Sequence, residues 1–350
     1  MARIVVAGAG AIGASIAYHI ALAGADEVVL CDRAQVASGS TGKAMGGIRQ
    51  QFSTAPEVRL AQASVRFFEQ LGAPFFEQVG YVFLATSKEG LAELEERRAL
   101  QEGLGVPAKW VDPAEIEGLE VGDVVGAVAC WEDGIGDPAR VTRELVRQAT
   151  ENGVELVEGV SAVGLERDVL VVACGPWSAD LGREVGVELP IRPLCRQLVD
   201  TVPVAGLPVD LPMVVEAETG FHFRRVDGAL RLAMAEPTLR WGFEEWVDDE
   251  LVSDWLNRLA RRYPPAAGAE VARAWAGLYD MTPDAHPIIG WSAQGVYAAC
   301  GFSGHGFMQS PAVGRAVAQE ILEGASEFDL TPYRLERFAG NEVFPEELVL

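Results

Sequence analysis

The chain has 350 residues, 49% of them hydrophobic, which suits two packed domains and argues against a disordered protein. Its formal net charge of -23 at pH 7 argues against a nucleic-acid partner and against docking on an anionic membrane. Five scattered cysteines without a CxxC pair predict reduced thiols, no zinc site and a cytoplasmic location. We expect no membrane span, because no apolar run reaches about 18 residues. The first predicted strand begins so near residue 1 that we expect no signal peptide before it.

A dinucleotide-binding unit is predicted at the start of the chain. A short apolar strand at residues 4–7 runs into a turn that contains Gly8, Gly10 and Gly13, and a helix follows. In this G-x-G-x-x-G pattern the first glycine permits the tight turn, the second lets backbone approach a pyrophosphate, and the third lets the helix pack closely on the strand. The N–H groups and the dipole of the helix N-terminus attract phosphates.

The second strand of this unit, at residues 28–31, ends at Asp32. A carboxylate at this position accepts a hydrogen bond from a ribose hydroxyl. It also disfavours a 2′-phosphate, so we do not expect NADP. A glycine pattern alone is weak evidence, but the complete strand, turn, helix, strand and acid make the interpretation strong.

Residues 38–49 form a second segment with a composition that suits ligand binding. Glycines and hydroxyl side chains dominate it, as in backbone that wraps around a bound molecule. Arg49 ends the segment, directly after the Gly46-Gly47 pair and Ile48. By its position alone, Arg49 is as consistent with a surface cation as with a residue that binds a ligand.

The middle of the chain predicts a return to the parallel sheet. Asp112 and Asp137, each followed by proline, are typical of helix starts. A strand is expected at residues 154–157, and a buried strand at residues 168–174 ends in a glycine turn.

From residue 190 to 235 the pattern changes to strand-like runs broken by proline and glycine, which indicates an antiparallel sheet. The apolar spacing from Trp246 to Leu259 then predicts a helix. The predicted fold class is therefore α/β, or α+β overall. It combines a Rossmann-like domain with a second domain built on a mostly antiparallel β-sheet.

A second strand, glycine loop and helix follow near the C-terminus. The strand is expected at residues 296–300, and the loop has the sequence GFSGHGFMQSP at residues 301–311. Ser310 is a good N-cap and Pro311 a good first helical residue, so the pattern predicts that the helix begins there. The dipole of this helix would point at whatever the loop binds.

These motifs resemble the FAD-dependent amino-acid oxidases of the D-amino-acid, glycine and sarcosine oxidase group. The resemblance extends from Ile4 to about Phe338 and rests on the N-terminal unit, residues 46–49, residues 172–177 and the two C-terminal runs at 276–290 and 301–311. The branch most similar to this chain contains sarcosine oxidase β-subunits and dye-linked proline dehydrogenases.

The resemblance implies an FAD site, a substrate site and a division into domains. The FAD-binding domain is expected at residues 1–80, 136–182 and 270–340, and the substrate-binding domain at 81–135 and 183–269. The expected catalytic residues are Arg49, Tyr279, Arg224, His305 and Met308. The expected FAD-binding residues are Gly8, Gly10, Ala11, Ile12, Gly13, Asp32, Arg33, Ser40, Thr41, Gly46, Gly47, Val160, Ala173, Gly175, Trp177, Gly304, His305, Gly306, Phe307 and Met308.

Three positions depart from the pattern of monomeric sarcosine oxidases. Gly277 stands where those enzymes have the cysteine that tethers FAD, so the resemblance predicts non-covalent FAD. Met308 stands where they have a lysine that binds the substrate carboxylate, and Arg231 aligns with their oxygen-activating lysine. The sequence therefore leaves open which residue binds the substrate carboxylate. It also leaves open whether oxygen or another molecule is the electron acceptor.

The predicted activity is oxidation of the C–N bond of a small amino acid or of a secondary or N-methyl amine. A hydride passes to flavin N5 and an imine is formed. The chain has only four histidines, and His222 is equally consistent with a cavity wall and with the surface. Alternatives are an NAD-dependent dehydrogenase, a module of a larger flavin enzyme such as a tRNA-modifying one, and a non-catalytic FAD-binding assembly protein or subunit. A homo-oligomer or hetero-oligomer is compatible with the sequence.

Overall fold

The computed structural model describes residues 2–340 and residue 345. Its helices are α1 (Ala11–Leu22), α2 (Ala55–Leu71), α3 (Lys88–Gly103), α4 (Pro138–Glu151), α5 (Ser178–Glu184), α6 (Asp249–Arg262) and α7 (Gly306–Glu323). Its strands are β1 (Ile4–Ala7), β2 (Val28–Asp32), β3 (Gly47–Ile48), β4 (Tyr81–Ala85), β5 (Lys109–Trp110), β6 (Gly126–Cys130), β7 (Gly134–Ile135), β8 (Glu155–Glu158), β9 (Val169–Val172), β10 (Arg192–Thr201), β11 (Met213–Glu216), β12 (His222–Val226), β13 (Ala229–Ala233), β14 (Arg240–Trp241), β15 (Val271–Met281), β16 (Ile288–Ala293) and β17 (Val296–Cys300).

A six-stranded sheet in the order β16-β17-β9-β1-β2-β8 forms the first part of the fold. Strands β17, β9, β1, β2 and β8 run parallel, and β16 is antiparallel at one edge. The strands predicted at residues 4–7, 28–31, 154–157, 168–174 and 296–300 are all present in this sheet. The C-terminal strand thus returns beside the N-terminal unit, and both glycine loops leave the same edge of the sheet.

Both faces of this sheet are covered. Alternate side chains of β1 and β2 point to opposite faces, so that Val6 and Leu30 belong to a different core cluster from Val5 and Val29. Helices α1, α4 and α7 pack together on the first face, and α5 lies against β9 on the second. The contact of α1 with α7 depends on Gly314, where a Cβ would lie 2.2 Å from the Ser15 hydroxyl oxygen.

A nine-stranded sheet forms the second part of the fold. Eight strands follow the order β14-β10-β13-β12-β11-β4-β6-β5, and β15 pairs with β10 along most of its length. The pairs are antiparallel except β4 with β11, so the prediction of a mostly antiparallel second sheet is confirmed. Because β15 lies in this sheet, a domain boundary at residue 270 separates it from its partner β10. The domain ranges themselves stay a prediction.

Two predictions about helix starts are wrong. Helix α6 begins at Asp249 with Asp248 as its N-cap, so Trp246 precedes the helix and is 48% exposed. Helix α7 begins at Gly306 and contains Pro311 in its interior. Proline cannot donate a backbone hydrogen bond to the Phe307 carbonyl, but the Ser310 hydroxyl donates to that carbonyl at 2.9 Å instead.

Candidate active site

A cavity of about 510 Å³ opens between the two large sheets. On one side it is lined by the ends of β1, β2, β9 and β17 and by the loops that follow them. On the other side it is lined by β10, β11, β12, β13 and β15. Both glycine-rich loops of the sequence therefore meet in one continuous space.

The first glycine loop leaves room for a ligand because side chains are absent from it. Gly8 has a φ of +106°, and a Cβ there would lie 2.3 Å from the Ala173 carbonyl oxygen. A Cβ on Gly13 would lie 1.8 Å from the Gly8 carbonyl oxygen, which shows how closely α1 passes the strand. The N–H groups of Gly10 and Ile12 have no hydrogen-bond partner in the described part of the chain. They line the cavity at the positive end of the α1 dipole.

Asp32 shapes the neighbouring loop as well as lining the cavity. Its Oδ2 accepts a hydrogen bond from the Ala9 backbone N–H at 2.8 Å, and its Oδ1 accepts one from the Ala34 N–H at 2.7 Å. The Asp32 carbonyl also accepts a hydrogen bond from the Val160 N–H at 3.0 Å. A carboxylate fixed in this way is preorganised to accept a hydrogen bond from a ribose hydroxyl.

The hydroxyl-rich segment closes over the same end of the cavity. The Thr41 hydroxyl oxygen accepts a hydrogen bond from the Ala11 N–H at 3.0 Å, which joins the segment to the start of α1. The Ser40 hydroxyl donates to the Leu278 carbonyl at 2.6 Å and joins it to β15. The unusual composition at residues 38–49 thus provides side-chain hydrogen bonds that link the two sheets around the ligand space.

The second glycine loop forms the other end of the cavity. Gly304 has a φ of +99°, and a Cβ there would lie 2.5 Å from Cε2 of Tyr279. The Tyr279 ring therefore lies directly against the loop. Gly306, Phe307 and Met308 form the first turn of α7 and line the cavity, so the positive end of this helix also faces the cavity.

Arg49 lies in the cavity wall and is only 1% exposed. Its guanidinium donates to the Gln51 carbonyl and lies 4.1 Å from the centre of the Phe52 ring. The rings of Phe52 and His305 also meet in an edge-to-face arrangement, with ring centres 5.0 Å apart. Burial and these contacts exclude the interpretation of Arg49 as a surface cation.

Most of the expected site residues lie together in the cavity lining. Two do not: Gly13 lies behind the first loop, where it packs α1, and Arg224 is tied to backbone carbonyls of Met45 and Arg225 at 2.6 and 2.9 Å. Arg224 thus supports the segment before Arg49 and does not reach the ligand space. The expected residues in the lining are Arg49, Tyr279, His305, Met308, Gly8, Gly10, Ala11, Ile12, Asp32, Arg33, Ser40, Thr41, Gly46, Gly47, Val160, Ala173, Gly175, Trp177, Gly304, Gly306 and Phe307.

Gly277, the position of the family's tethering cysteine, also lines the cavity. A Cβ there would lie 3.0 Å from Cβ of Lys43. Arg231 lies outside the lining, and its Nε and Nη2 atoms donate to the two carboxylate oxygens of Asp200 at 2.8 and 2.9 Å. The position of Arg231 therefore does not support a role like that of the oxygen-activating lysine with which it aligns.

Four residues that were not among the expected site residues line the cavity from the second sheet or directly beside it: Arg196, Met213, His222 and Met234. For His222 this decides between the cavity wall and the surface. Arg196 and His222 are polar, and Met213 and Met234 add apolar surface. No motif surrounds these residues in the sequence. The only signal for Arg196 and His222 is a polar side chain inside an otherwise strand-like run, and Met213 and Met234 carry no signal in the sequence.

His222 is a neutral hydrogen-bonding group in this cavity. Burial lowers its pKa to about 4, and the Arg49 and Arg196 guanidiniums act in the same direction. A neutral imidazole has one N–H, and its Nδ1 lies 2.7 Å from the Gly220 carbonyl, which accepts that proton. The Nε2 of His222 therefore carries a lone pair.

Tyr279 keeps its phenolic proton at neutral pH. Burial raises its pKa, although Arg196 and Arg49 oppose this rise. The two guanidiniums thus act on the same two side chains, Tyr279 and His222, which places positive charge on this part of the cavity in a chain with a net charge of -23.

Residues 2–340 contain no helix with the length and hydropathy needed to cross a bilayer. The same residues hold no cluster of three or more histidine, cysteine or acidic side chains arranged for a metal ion. All five cysteines are unpaired, and burial raises the pKa of Cys174, which lines the cavity, to about 12.

Known proteins are similar to this chain in sequence and in fold. The 4-methylaminobutanoate oxidase (formaldehyde-forming) of Paenarthrobacter nicotinovorans is 25% identical over 97% of this chain and 46% of its own length. The chain thus spans less than half of that relative. The glycine oxidase of Geobacillus kaustophilus is 26% identical over 96% of this chain and 97% of its own length. The crystal structure of L-proline dehydrogenase from P. horikoshii superposes with a TM-score of 0.90, at 28% identity, over 98% of this chain and 99% of that one.

The model of the DAO family, described as FAD dependent oxidoreductase, matches residues 3–320. The glycine-lined cradle, the Asp32 carboxylate and the two helix N-termini fit the phosphates, ribose and ring of FAD. The chain belongs to the DAO family of FAD-dependent oxidoreductases.

Proposed function

We propose that this chain oxidises the C–N bond of a small amino acid or of a secondary or N-methyl amine. FAD, when bound, supplies the acceptor for the hydride that leaves the substrate carbon. The products are an imine and the reduced cofactor, which oxygen or another acceptor then reoxidises. The proposal is supported by relatives that are named as an amine oxidase, a glycine oxidase and an L-proline dehydrogenase.

The observation that carries the proposal is that Arg49 and Tyr279 lie in the same cavity as both glycine loops. Residues from Gly8 to Thr41 would hold the ADP part of FAD, and residues from Gly304 to Met308 would lie along the flavin ring. Tyr279, packed on Gly304, then stands where a substrate meets that ring.

The proposed role of Arg49 is to bind and orient the substrate carboxylate. A guanidinium offers paired N–H donors that match a carboxylate in geometry and charge. Its stacking on Phe52 limits the motion of the group, so less conformational entropy is lost when a substrate binds. Tyr279 would donate its phenolic proton to the same carboxylate, since the raised pKa keeps that proton in place.

The amine must lose its proton before a hydride can leave the neighbouring carbon. His222 fits the role of hydrogen-bond acceptor for the amine, because Gly220 fixes its tautomer with the lone pair on Nε2. The side chains of Met213, Met234 and Met308 add apolar surface to the lining of the same cavity.

The test is a screen of glycine, sarcosine, L-proline, D-amino acids and N-methylated amines. Each is assayed with oxygen and with an artificial dye as acceptor, on protein whose FAD content has been measured by absorbance. Turnover of one class above the others supports the proposal, and the preferred acceptor distinguishes an oxidase from a dehydrogenase.

Two outcomes would contradict the proposal. Flavin-loaded protein that turns over none of these compounds with either acceptor would favour a non-catalytic FAD-binding subunit. Reduction of added NAD without bound flavin would favour a nicotinamide-dependent enzyme. Oligomeric state, measured by light scattering, and the cytoplasmic location stay predictions.

A further inference from the structure

A fully buried ion pair lies behind the glycine loop that lines the second end of the cavity. Glu57, in the first turn of α2, and His286, in the loop before β16, are 1% and 0% exposed. The Nδ1 atom of His286 lies 3.0 Å from one carboxylate oxygen of Glu57. The other carboxylate oxygen accepts a hydrogen bond from the side-chain amide of Gln309, in the first turn of α7.

Two routes connect this carboxylate with the space expected to hold the flavin ring. Gln309 directly follows Met308, which lines the cavity, and its backbone N–H donates to the His305 carbonyl at 3.2 Å. The imidazole of His305 lines the cavity, and its charge acts on Glu57. Ser64, also in α2, donates to the Gln309 carbonyl at 3.2 Å. Helix α2 therefore holds the first turn of α7 from behind.

Glu57 is ionised in spite of its burial. Burial alone raises the pKa of its carboxyl, but the hydrogen bond and the charge of His286, the charge of His305 and the neighbouring amide together hold that pKa below its ordinary 4.5. The positive end of α2 also favours the ionised form. The acid closest to His286 along the chain, Asp284, is bound by the Arg337 guanidinium at 2.8 and 3.0 Å. The carboxylate of Glu57 and an imidazolium at His286 together carry no net charge.

The charge of this pair matters because reduction adds negative charge to a flavin ring. The positive end of α7 faces the cavity and favours that negative charge. A carboxylate behind the same turn opposes it, since like charges inside a protein are only weakly screened. An imidazolium at His286 cancels this opposition while the carboxylate still binds Gln309.

We propose that Glu57 and His286 are positioning residues for FAD. The carboxylate holds the first turn of α7 against the flavin ring, and the imidazolium cancels its charge, so that the bound flavin is reduced more readily. The inference rests on the binding of FAD and not on the proposed amine oxidation. It is therefore tested without any substrate.

The experiment measures the midpoint potential of the bound FAD at pH 7.5, by slow reduction of the FAD-loaded protein beside a reference dye. His286→Asn keeps an amide N–H near the position of Nδ1 and removes the charge. His305 and Gln309 remain beside the carboxylate in this variant and keep it ionised. The double variant Glu57→Gln with His286→Asn removes both charges and keeps the shape of both side chains nearly unchanged.

Glu320→Gln is the matched control. Glu320 is also a buried acid, and it pairs with Arg334 at 2.6 Å. It lies in the last turn of α7, about 21 Å along the helix from Gly306. The control therefore breaks a buried ion pair of the same helix at the end that is remote from the cavity.

We expect His286→Asn to make reduction of the bound FAD about tenfold less favourable, which lowers the midpoint potential of a two-electron couple by about 30 mV. In the double variant the equilibrium should return to within about twofold of the wild type, because no net charge remains. Glu320→Gln should stay within the same limit. If His286→Asn fails to load FAD, His286→Gln takes its place, with the same expected fall.

An unchanged potential in His286→Asn would overturn the inference, because the flavin would then not respond to the charge of Glu57. A fall that the double variant does not reverse would overturn it too, since displaced backbone and not charge would be the cause. An equal fall in Glu320→Gln would show that loosening α7 anywhere has this effect. A failed substrate screen changes none of these potentials, so the proposed function and this inference fail separately.

Discussion

Asp133 is a fully buried acid whose protonation should make stability depend on pH. Its carboxyl accepts hydrogen bonds from the Gln50 N–H at 2.9 Å and from the Gln51 amide at 3.1 Å. Gln51 in turn accepts the hydrogen bond of Arg49, so this acid supports the segment that positions Arg49. Burial raises the pKa of Asp133 from its ordinary 3.8 to about 7.

The sign and size of the effect follow from proton binding. Between about pH 4 and pH 7 the folded protein keeps the Asp133 proton while the unfolded chain has lost it. Folding is therefore favoured at the acid end of this window, and the contribution is lost as pH rises towards 7. Each pH unit of the window is worth about 1.4 kcal/mol, so from pH 5 to pH 8 the loss is roughly 2.5 kcal/mol.

Asp133→Asn removes this titration while keeping the shape of the side chain. The free energy of unfolding of both proteins is measured in urea at pH 5 and pH 8, with saturating FAD and tryptophan fluorescence as the signal. Any lost hydrogen bond to Gln51 costs the same at both pH values and cancels in the difference. Between pH 5 and pH 8 the free energy of unfolding of the wild type should fall by about 2.5 kcal/mol more than that of the variant. Asp227→Asn, in the exposed turn between β12 and β13, is the control.

A pH-independent difference between Asp133→Asn and the wild type would refute the reasoning. It would mean that the donors around the carboxyl hold it ionised at pH 5 in spite of its burial. A gain of the same size in Asp227→Asn would show that net charge, and not burial, sets the pH dependence.

Four further predictions concern the cofactor and the substrate. Acid precipitation should release the yellow flavin to the supernatant, and flavin retained in the washed pellet would contradict non-covalent binding. Asp32→Ala should raise the Kd of FAD by about 10-fold to 100-fold, because the proposed hydrogen bond from a ribose hydroxyl to this carboxylate is lost; an unchanged Kd would contradict the proposed ribose contact. Gly304→Ala should abolish turnover by displacing Tyr279, whereas Gly153→Ala, with a similar positive φ and open space around it, should affect only stability. Arg49→Lys should reduce kcat/KM for amino acids, by a factor equivalent to about 2–5 kcal/mol of transition-state stabilisation, and should leave kcat/KM for amines without a carboxylate nearly unchanged. Equal losses for both substrate types would show that Arg49 holds the fold.

Local patterns in the sequence were sufficient for the nucleotide-binding part of the fold. The turn at Gly8, the helix after Gly13 and the acid at Asp32 depend on neighbours within one strand-helix-strand unit. Backbone conformation and packing at these positions need little information from the rest of the chain. The same holds for Asp137, whose side chain caps α4 by accepting from the Arg140 N–H at 3.0 Å.

Long-range packing overrode local preference at the start of α7. A serine followed by proline favours a helix start, and the sequence alone therefore predicts one at Ser310. In the structure, Gly304 and His305 turn the chain directly out of the loop after β17, and the helix begins at Gly306. The Ser310 hydroxyl then compensates the carbonyl that Pro311 leaves without a backbone donor. The penalty for an interior proline is thereby reduced.

The second sheet shows a different limit of sequence analysis. Whether a polar side chain in a strand faces solvent, a neighbour or a cavity depends on its register with distant strands. Arg224 and Arg231 lie directly opposite each other in β12 and β13, yet neither lines the cavity. Arg196 and His222 do line it. No local pattern separates these four residues, so the sequence alone selected Arg224 and did not select Arg196.

The charge of the chain explains why this distinction matters for function. With a net charge of -23, the field around the protein repels an anionic substrate at long range, so binding depends on cations at the site itself. Screening in salt weakens the distant repulsion more than a direct contact inside the cavity. The guanidiniums of Arg49 and Arg196, which both line the cavity, are the cations on which the proposed binding of a carboxylate would depend. Raising the salt concentration should therefore increase the association rate of acetate with the FAD-loaded protein. The dissociation rate of acetate should change by a smaller factor. Stopped-flow absorbance measures both rates, and an association rate that falls with salt would show that attraction, not repulsion, governs the approach.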